Sequence, residues 1–302
     1  MHEGELPLDD DLAERLIAQR FPELRGRPLR RVPTTGTVNT IIRLGDDLVA
    51  RFPLLGASEA ELRAEADAMA ELADASPFPA ARPYGVANAS DGFASAWSVQ
   101  TWLDGEVAGH DRHAASASLA RDIVTLITTL RSVPVGGRVF DGAGRGGHLP
   151  DHDEWIAECL AQSGHLLDTR RAAELWASLR VLPAAGPDVM SHRDLTPFNL
   201  LVTERDGDDR LAGVLDGGSF GPADRALDLV AAWHLFDAPR RRMLRDGVGA
   251  GDVEWLRGAA WAFQQAMGLV WYYEESNPPM SALGLSTMRR LLEDEELSAL
   301  RP

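Results

Sequence analysis

The sequence predicts an α+β fold in two lobes. A small β-rich lobe with one long helix is expected over residues 1–104, and a larger, mostly helical lobe over 105–302. Three observations carry this. The first hundred residues alternate short β-branched runs with one strong helical stretch. Beyond Gly105, apolar residues recur at helical spacing in one segment after another, interrupted by a single β-patterned insert. And 302 residues, 45% hydrophobic and 25% charged, have the composition of a globular protein able to bury two cores.

The elements follow in order. Asp9–Phe21 reads as an amphipathic helix with Leu12, Leu16 and Ile17 on one side, its acidic start suited to the helix dipole. Two β-branched runs then flank Gly45-Asp46-Asp47, a hairpin signal. Ala57–Ala73 is a strong helix, with Ser58 and Glu61 spaced as a capping box. Strand-like runs follow around Tyr84–Val86 and Ala94–Trp102. Ser116–Leu130 reads as a helix, and a glycine-rich loop spans Gly136–Gly147. Further helices are expected over Asp153–Ala161, Arg170–Leu179, Arg225–Phe236, Ala238–Asp246, Val253–Glu274 and Ser286–Leu292. Between them, Leu200-Leu201-Val202 and Leu211–Leu215 flank the acidic turn Glu204–Asp209. There are no repeats and no low-complexity linker.

Charge and composition exclude several classes. Thirty basic against 46 acidic residues give a net charge of −16, which argues against a nucleic-acid surface. All 30 basic residues are arginine, so a Schiff-base lysine, a lysine general base and a Walker-type P-loop are ruled out. The single cysteine, Cys159, excludes a disulfide framework. The acidic start has no apolar core of a signal peptide, and no apolar run reaches the roughly 18 residues of a membrane span. A cytoplasmic protein without a membrane partner is expected.

The chemistry concentrates in Ser191-His192-Arg193-Asp194-Leu195-Thr196-Pro197-Phe198-Asn199. An aspartate is followed five residues later by an asparagine that leads straight into a strand. The return strand of that hairpin ends in Asp216-Gly217-Gly218, which puts Asp216 and Asn199 at neighbouring strand ends, with Asp194 on the preceding loop. Two hard oxygen ligands and a free carboxylate fit magnesium-assisted phosphoryl transfer, the carboxylate orienting a hydroxyl and accepting its proton.

These residues resemble the aminoglycoside phosphotransferase family, a bacterial branch of the protein-kinase-like fold. His192–Asn199 looks like its catalytic loop, and Asp216-Gly217-Gly218 stands where the family has an Asp-aromatic-Gly metal motif. The segment Pro222–Trp233 matches a further family motif at Asp224 and Asp228. The likeness runs from about Arg31 to the C-terminal helices. It implies that Asp194 is the catalytic base, that Asn199 and Asp216 hold magnesium, and that His192 supports the loop. It also implies that ATP or GTP binds between the lobes. Two departures stand out: Gly217 replaces the aromatic, which should cost that loop a packing anchor, and Arg225 replaces a proline.

The resemblance further implies a cation on the third strand, paired to a helix glutamate and holding the nucleotide phosphates. The strand Leu48–Pro53 offers Arg51. On the next helix Leu62, Glu65, Met69 and Leu72 follow at spacings of three, four and three, so Glu65 points with the apolar face and needs a partner, for which Arg51 is the candidate. Thr35, Gly36, Thr37 and Asn39 form the candidate phosphate-covering loop, and the backbone near Gln100 and Trp102 is the candidate reader of the adenine edge. Arginine where the fold commonly has lysine keeps the charge and grips oxygens with a fork that must be aimed.

Other patterns compete. Gly217–Gly221 matches the Gly-x-Ser-x-Gly elbow of hydrolases, with His234 as the only later histidine. His148–Asp153 looks like a metal cluster and reads better as a capped helix start. Trp255, Trp261, Phe263, Trp271, Tyr272 and Tyr273 are mostly core. Trp271, Tyr272, Glu274, Glu275 and Asp228 are candidate contacts for the acceptor. The function implied is transfer of a γ-phosphate to a hydroxyl of a small molecule, an antibiotic such as an aminoglycoside or macrolide. A housekeeping alcohol or sugar kinase and a catalytically silent nucleotide-binding protein remain as alternatives.

Overall fold

The computed structural model describes residues 5–33 and 38–300. The chain forms two compact units. The first takes the described parts of Met1–Asp74, with Pro79–Asp104 and Asp216–Gly218. The second takes Ala75–Phe78, Gly105–Leu215 and the described part of Ser219–Pro302.

In the first unit, helix α1 (Asp10–Arg20) is capped by Asp9, whose carboxylate accepts from Leu12 N at 2.7 Å. The sheet has strands β1 (Leu29–Arg31), β2 (Asn39–Leu44), β3 (Leu48–Pro53), β4 (Pro83–Ala87) and β5 (Trp97–Thr101), in the order β1-β2-β3-β5-β4, every pair antiparallel. Leu16, Ile17 and Phe21 bury against Ile42, Leu44, Phe52 and Trp97, and the Phe52 and Trp97 rings stack at 4.7 Å. Helix α2 (Glu59–Ala75) joins β3 to β4. Its capping box is formed in both directions: Ser58 N donates to Glu61 Oε2 at 2.8 Å, and Glu61 N to Ser58 Oγ at 3.2 Å. Leu62, Met69 and Leu72 are buried, whereas Glu65, expected on the same face, is exposed.

The second unit begins with β6 (Glu106–Val107) and α3 (Ala117–Ser132), whose Leu119, Ile123, Leu126, Ile127 and Leu130 are fully buried. Helices α4 (Asp153–Gln162) and α5 (Thr169–Leu179) follow. Strand β7 (Val189–Ser191) precedes the hairpin β8 (Leu200–Arg205) and β9 (Asp208–Val214), and β10 (Gly221–Ala223) pairs back with β7. Strand β6 pairs with β8, completing a three-stranded sheet. Helices α6 (Val230–Leu235), α7 (Ala238–Val248), α8 (Asp252–Val270), α9 (Pro278–Leu292) and α10 (Glu295–Ser298) close the unit. Among the described residues no helix is long and apolar enough to cross a membrane.

Three helix boundaries differ from those expected. The stretch 225–236 helixes only from Val230, after a 3₁₀ turn over Leu227–Leu229. Helix α8 stops at Val270 instead of Glu274, and α9 starts at Pro278 instead of Ser286. Pro278 and Pro279 cannot continue a helix but suit its first turn. Within the added turns, Gly284 weakens the helical signal. That glycine serves packing on α8: a Cβ on Gly284 would lie 2.9 Å from Ala266 O.

Candidate active site

The loop between β7 and β8 holds the candidate base. His192 is completely buried. Its Nδ1 accepts from Asp194 N at 3.3 Å, which leaves Nε2 as the donor to Leu215 O at 2.9 Å. One imidazole thus ties the loop to the end of the hairpin's return strand. Asn199 Nδ2 donates to Asp194 O at 2.8 Å, and Leu215 N donates to Asn199 O at 2.8 Å. With its amide nitrogen committed, Asn199 has its side-chain oxygen free to act as a hard ligand. The Asp194 side chain is a quarter exposed, and Arg145 Nε lies 3.0 Å from its Oδ1. That contact is off a hydrogen-bonding direction and is an ion pair.

Asp228 corrects a sequence expectation. Placed there among the acceptor contacts, it is 2% exposed and fully engaged within the protein. Its carboxylate accepts Ser191 Oγ at 2.8 Å, His192 N at 3.0 Å and Arg193 N at 3.2 Å. It positions the loop from inside and has no lone pair directed at solvent for an acceptor. Its setting in a run, Ala226–Trp233, that is apolar at all its other positions is the sequence signal that a buried carboxylate with internal partners was there.

In the first unit, Arg51 sits in β3 between Ile41 of β2 and Ser98 of β5. The expected Arg51–Glu65 pair is not formed. Arg51 Nη2 instead donates to Asp216 Oδ1 at 3.1 Å and Nη1 to Gln100 Oε1 at 3.3 Å. Among the described residues no ion pair joins Arg51 to Glu65. The Glu65 carboxyl end is nevertheless partly desolvated, which raises its pKa above the ordinary value; Arg51 opposes the rise, and Asp216 and Glu61 add to it. The reason for the exchange is steric as well as electrostatic. Gly217 is buried against α2, where a Cβ would fall 2.5 Å from Leu72 Cδ2, and a Cβ on Gly218 would fall 3.1 Å from Glu65 Cβ. Two glycines let the backbone after Asp216 lie directly on the helix, and Asp216, at φ 54°, reaches Arg51. The loop is therefore packed by Leu72, not left without an anchor.

Gln100 and Trp102 also change meaning. Gln100 has Val49 of β3 on one side and Pro83 of β4 on the other, so its main chain lies inside the sheet and does not offer a free edge. Its buried side chain aims Arg51. The chain leaves the ladder at Trp102, whose N–H donates to Asp47 O at 2.8 Å. The Trp102 ring carries the Arg43 guanidinium at 4.5 Å, and its indole N–H donates to Asp104 at 2.9 Å. Asn39 opens β2 opposite Pro53. Thr35, Gly36 and Thr37 lie outside the described residues.

The aromatic residues divide as their burial dictates. Trp255, Trp261 and Phe263 are core. Trp271, Tyr272 and Tyr273 follow the end of α8 in edge-on contacts of 5.7 and 4.9 Å, with Tyr272 exposed. Glu274 pairs with His165 at 2.9 Å, and Glu275 is exposed.

Both competing motifs fail on geometry. His234 is fully buried, bonded to Thr287 Oγ1 at 2.9 Å and Gln265 Oε1 at 3.3 Å, so it cannot serve exposed Ser219. Asp153 accepts from Trp176 and Arg180, and among the described residues no three His, Cys, Asp or Glu side chains converge on a metal position. Magnesium in phosphoryl transfer needs no such cluster: one or two carboxylate or amide oxygens suffice, with substrate phosphates and water completing the shell. The free Asn199 oxygen and the half-exposed Asp216 carboxylate are donors of that kind. Sequence reading missed Arg145 and the direction of Arg193, since a glycine-rich loop carries no periodicity.

The comparisons with known proteins bear on the fold and the family. No curated protein matches the chain. Among solved structures, the GDP complex of aminoglycoside 2'-phosphotransferase-IIIa is 17% identical, with a TM-score of 0.69 over 93% of this chain and 98% of that one. The macrolide 2'-phosphotransferase from Brachybacterium faecium is 18% identical, with a TM-score of 0.59 over 92% and 98%. At such identities the likeness is one of fold. The model of the phosphotransferase enzyme family matches residues 30–261. That span is most of the chain and takes in Arg51, Asp194, Asn199, Asp216 and Asp228, and by it the chain belongs to the phosphotransferase enzyme family.

Proposed function

We propose that the protein moves the γ-phosphoryl group of ATP or GTP to a hydroxyl of a small molecule, an antibiotic of the aminoglycoside or macrolide kind. One observation carries the reading: the Asn199 amide is locked onto the main chain of Asp194, so a single loop presents a carboxylate base and a hard amide oxygen in fixed relation. Asp194 accepts the proton of the acceptor hydroxyl. The hydroxyl oxygen bonds to the γ-phosphorus as the bond to the bridging oxygen breaks, and nucleoside diphosphate leaves. Asn199 and Asp216 are the donors for magnesium, which supplies charge neutralisation when bound. Arg51, aimed by Gln100 and Asp216, takes the nucleotide phosphates in the place of a lysine. Thr35, Gly36, Thr37 and Asn39 cover the phosphates, and Trp102 lies beside the base. Trp271, Tyr272 and Glu275 contact the acceptor, and a net charge of −16 suits a cationic one. The aminoglycoside and macrolide phosphotransferases that share the fold support this acceptor class.

The experiment is a nucleotide-consumption screen with ATP and GTP over aminoglycosides, macrolides and small alcohols. Magnesium-dependent consumption that requires an aminoglycoside or macrolide is expected. Turnover only with small alcohols would replace the acceptor, and no turnover with any acceptor would leave a silent nucleotide-binding protein. Arg51→Met should raise the nucleotide KM or lower kcat by at least roughly tenfold.

A further inference from the structure

The side chain placed against the candidate base comes from an element with no role so far. Residues 195–198 contain no cation, and Arg193, next to Asp194 in sequence, turns its guanidinium to the glycine-rich loop instead. Among the described residues Asp194 has one cationic partner, Arg145 of the glycine-rich loop, at 3.0 Å from Oδ1. A surface ion pair by itself means little. Here the loop that carries it is fixed in place from the catalytic loop.

The fixing residue is Arg193. It is 6% exposed and holds φ 69°, a backbone conformation that costs a non-glycine residue free energy. Its own N–H is held by Asp228 and Ser191. Its guanidinium reaches three points of the glycine-rich loop: Asp141 Oδ1 at 3.1 Å, the Ala143 carbonyl, and Arg145 O at 3.4 Å. It also covers the Phe140 ring at 4.7 Å. A strained, buried arginine adjacent to the base thus spends its donors on the loop whose next side chain returns to that base.

We propose that Arg145 is a positioning residue for Asp194, and that Arg193 is the strut that keeps Arg145 in place. Arg145 holds Oδ1, which fixes the carboxylate's rotation and leaves Oδ2 for the acceptor hydroxyl. This rests on reading Asp194 as the base. It assigns the glycine-rich loop to the catalytic station and explains why a loop with so little apolar content is tied down by a buried side chain.

The test pairs kinetics with a direct readout of the contact. Arg145→Ala should lower kcat roughly tenfold to a hundredfold, as expected when a catalytic group loses its orientation. The nucleotide KM should stay within about twofold, since Arg145 acts through the base and not through nucleotide binding. Added guanidinium ion should restore part of the loss. Arg193→Ala should give the same kcat-confined defect, and the double variant should be no worse than the poorer single one. An unchanged kcat in Arg145→Ala, or a loss confined to KM, would overturn the proposal. Independently of turnover, the ¹⁵N–¹H Nε resonance of Arg145 should move on Asp194→Asn, and an unmoved resonance would overturn the contact itself. A wild-type protein that transfers no phosphate counts against the phosphotransferase reading, whereas an active wild type with an indifferent Arg145→Ala counts against this one.

Discussion

The Asp228 carboxylate collects three donors, two of them main-chain N–H groups of the catalytic loop, while 2% exposed. Removing it strands those donors in a place water does not reach. Asp228→Ala should cost about 3 kcal/mol in urea unfolding and depress turnover, because the loop that carries Asp194 loses its support. A cost under about 1 kcal/mol would mean that water replaces the carboxylate. His234 supplies the pH dependence. Burial lowers its pKa from 6.5 to about 3, with the Gln265 contact opposing. The unfolded chain therefore binds the proton first as pH falls, so the stability is whole above pH 6.5 and is lost progressively down to about 3. Between pH 7 and 5 the wild type should lose roughly 2 kcal/mol more than His234→Gln. Parallel losses in the two proteins would contradict a neutral, buried His234. At this scale the sequence offered candidate residues for the chemistry and not whom they meet. Asp194, Asn199 and Asp216 were legible from spacing. The partners of Arg51 were not, because Asp216 lies 165 residues away and helical spacing cannot choose between it and Glu65.

Helix α2 owes its start to Ser58 and Glu61 and its position to glycine. The capping box and the buried face of Leu62, Met69 and Leu72 were both readable, since each follows from local spacing. What the sequence could not show is that Gly217 would lie on Leu72. The family's aromatic at that position suggested a missing anchor, whereas here the helix itself fills the space. Gly217→Ala should destabilise the fold by about 1–3 kcal/mol through overpacking against Leu72. In a Leu72→Ala background the same change should cost at least about 1 kcal/mol less, and strict additivity in denaturant melts would show that the two sites do not touch. The short strands β6, β7 and β10 were invisible for a different reason. Two or three residues give no period, and β7 and β10 exist because each pairs with the other.

For the whole molecule, the α+β class followed from the change of hydrophobic period near Gly105. Helix ends set by tertiary packing, as at Gly284, did not. The absence of lysine reduces to a local matter. One arginine in β3 has its fork aimed by Gln100 and Asp216, and one in the glycine-rich loop stands beside Asp194. The proposed function turns on Asp194 as the group that takes a proton from an acceptor hydroxyl. The most direct measurement follows a γ-labelled nucleotide with the acceptor found by screening, in the wild type and in Asp194→Ala. The label should pass to the acceptor in the wild type. In the variant, transfer should fall by at least about a hundredfold while nucleotide binding and the melting curve stay close to wild type. Wild-type transfer by Asp194→Ala would contradict the account.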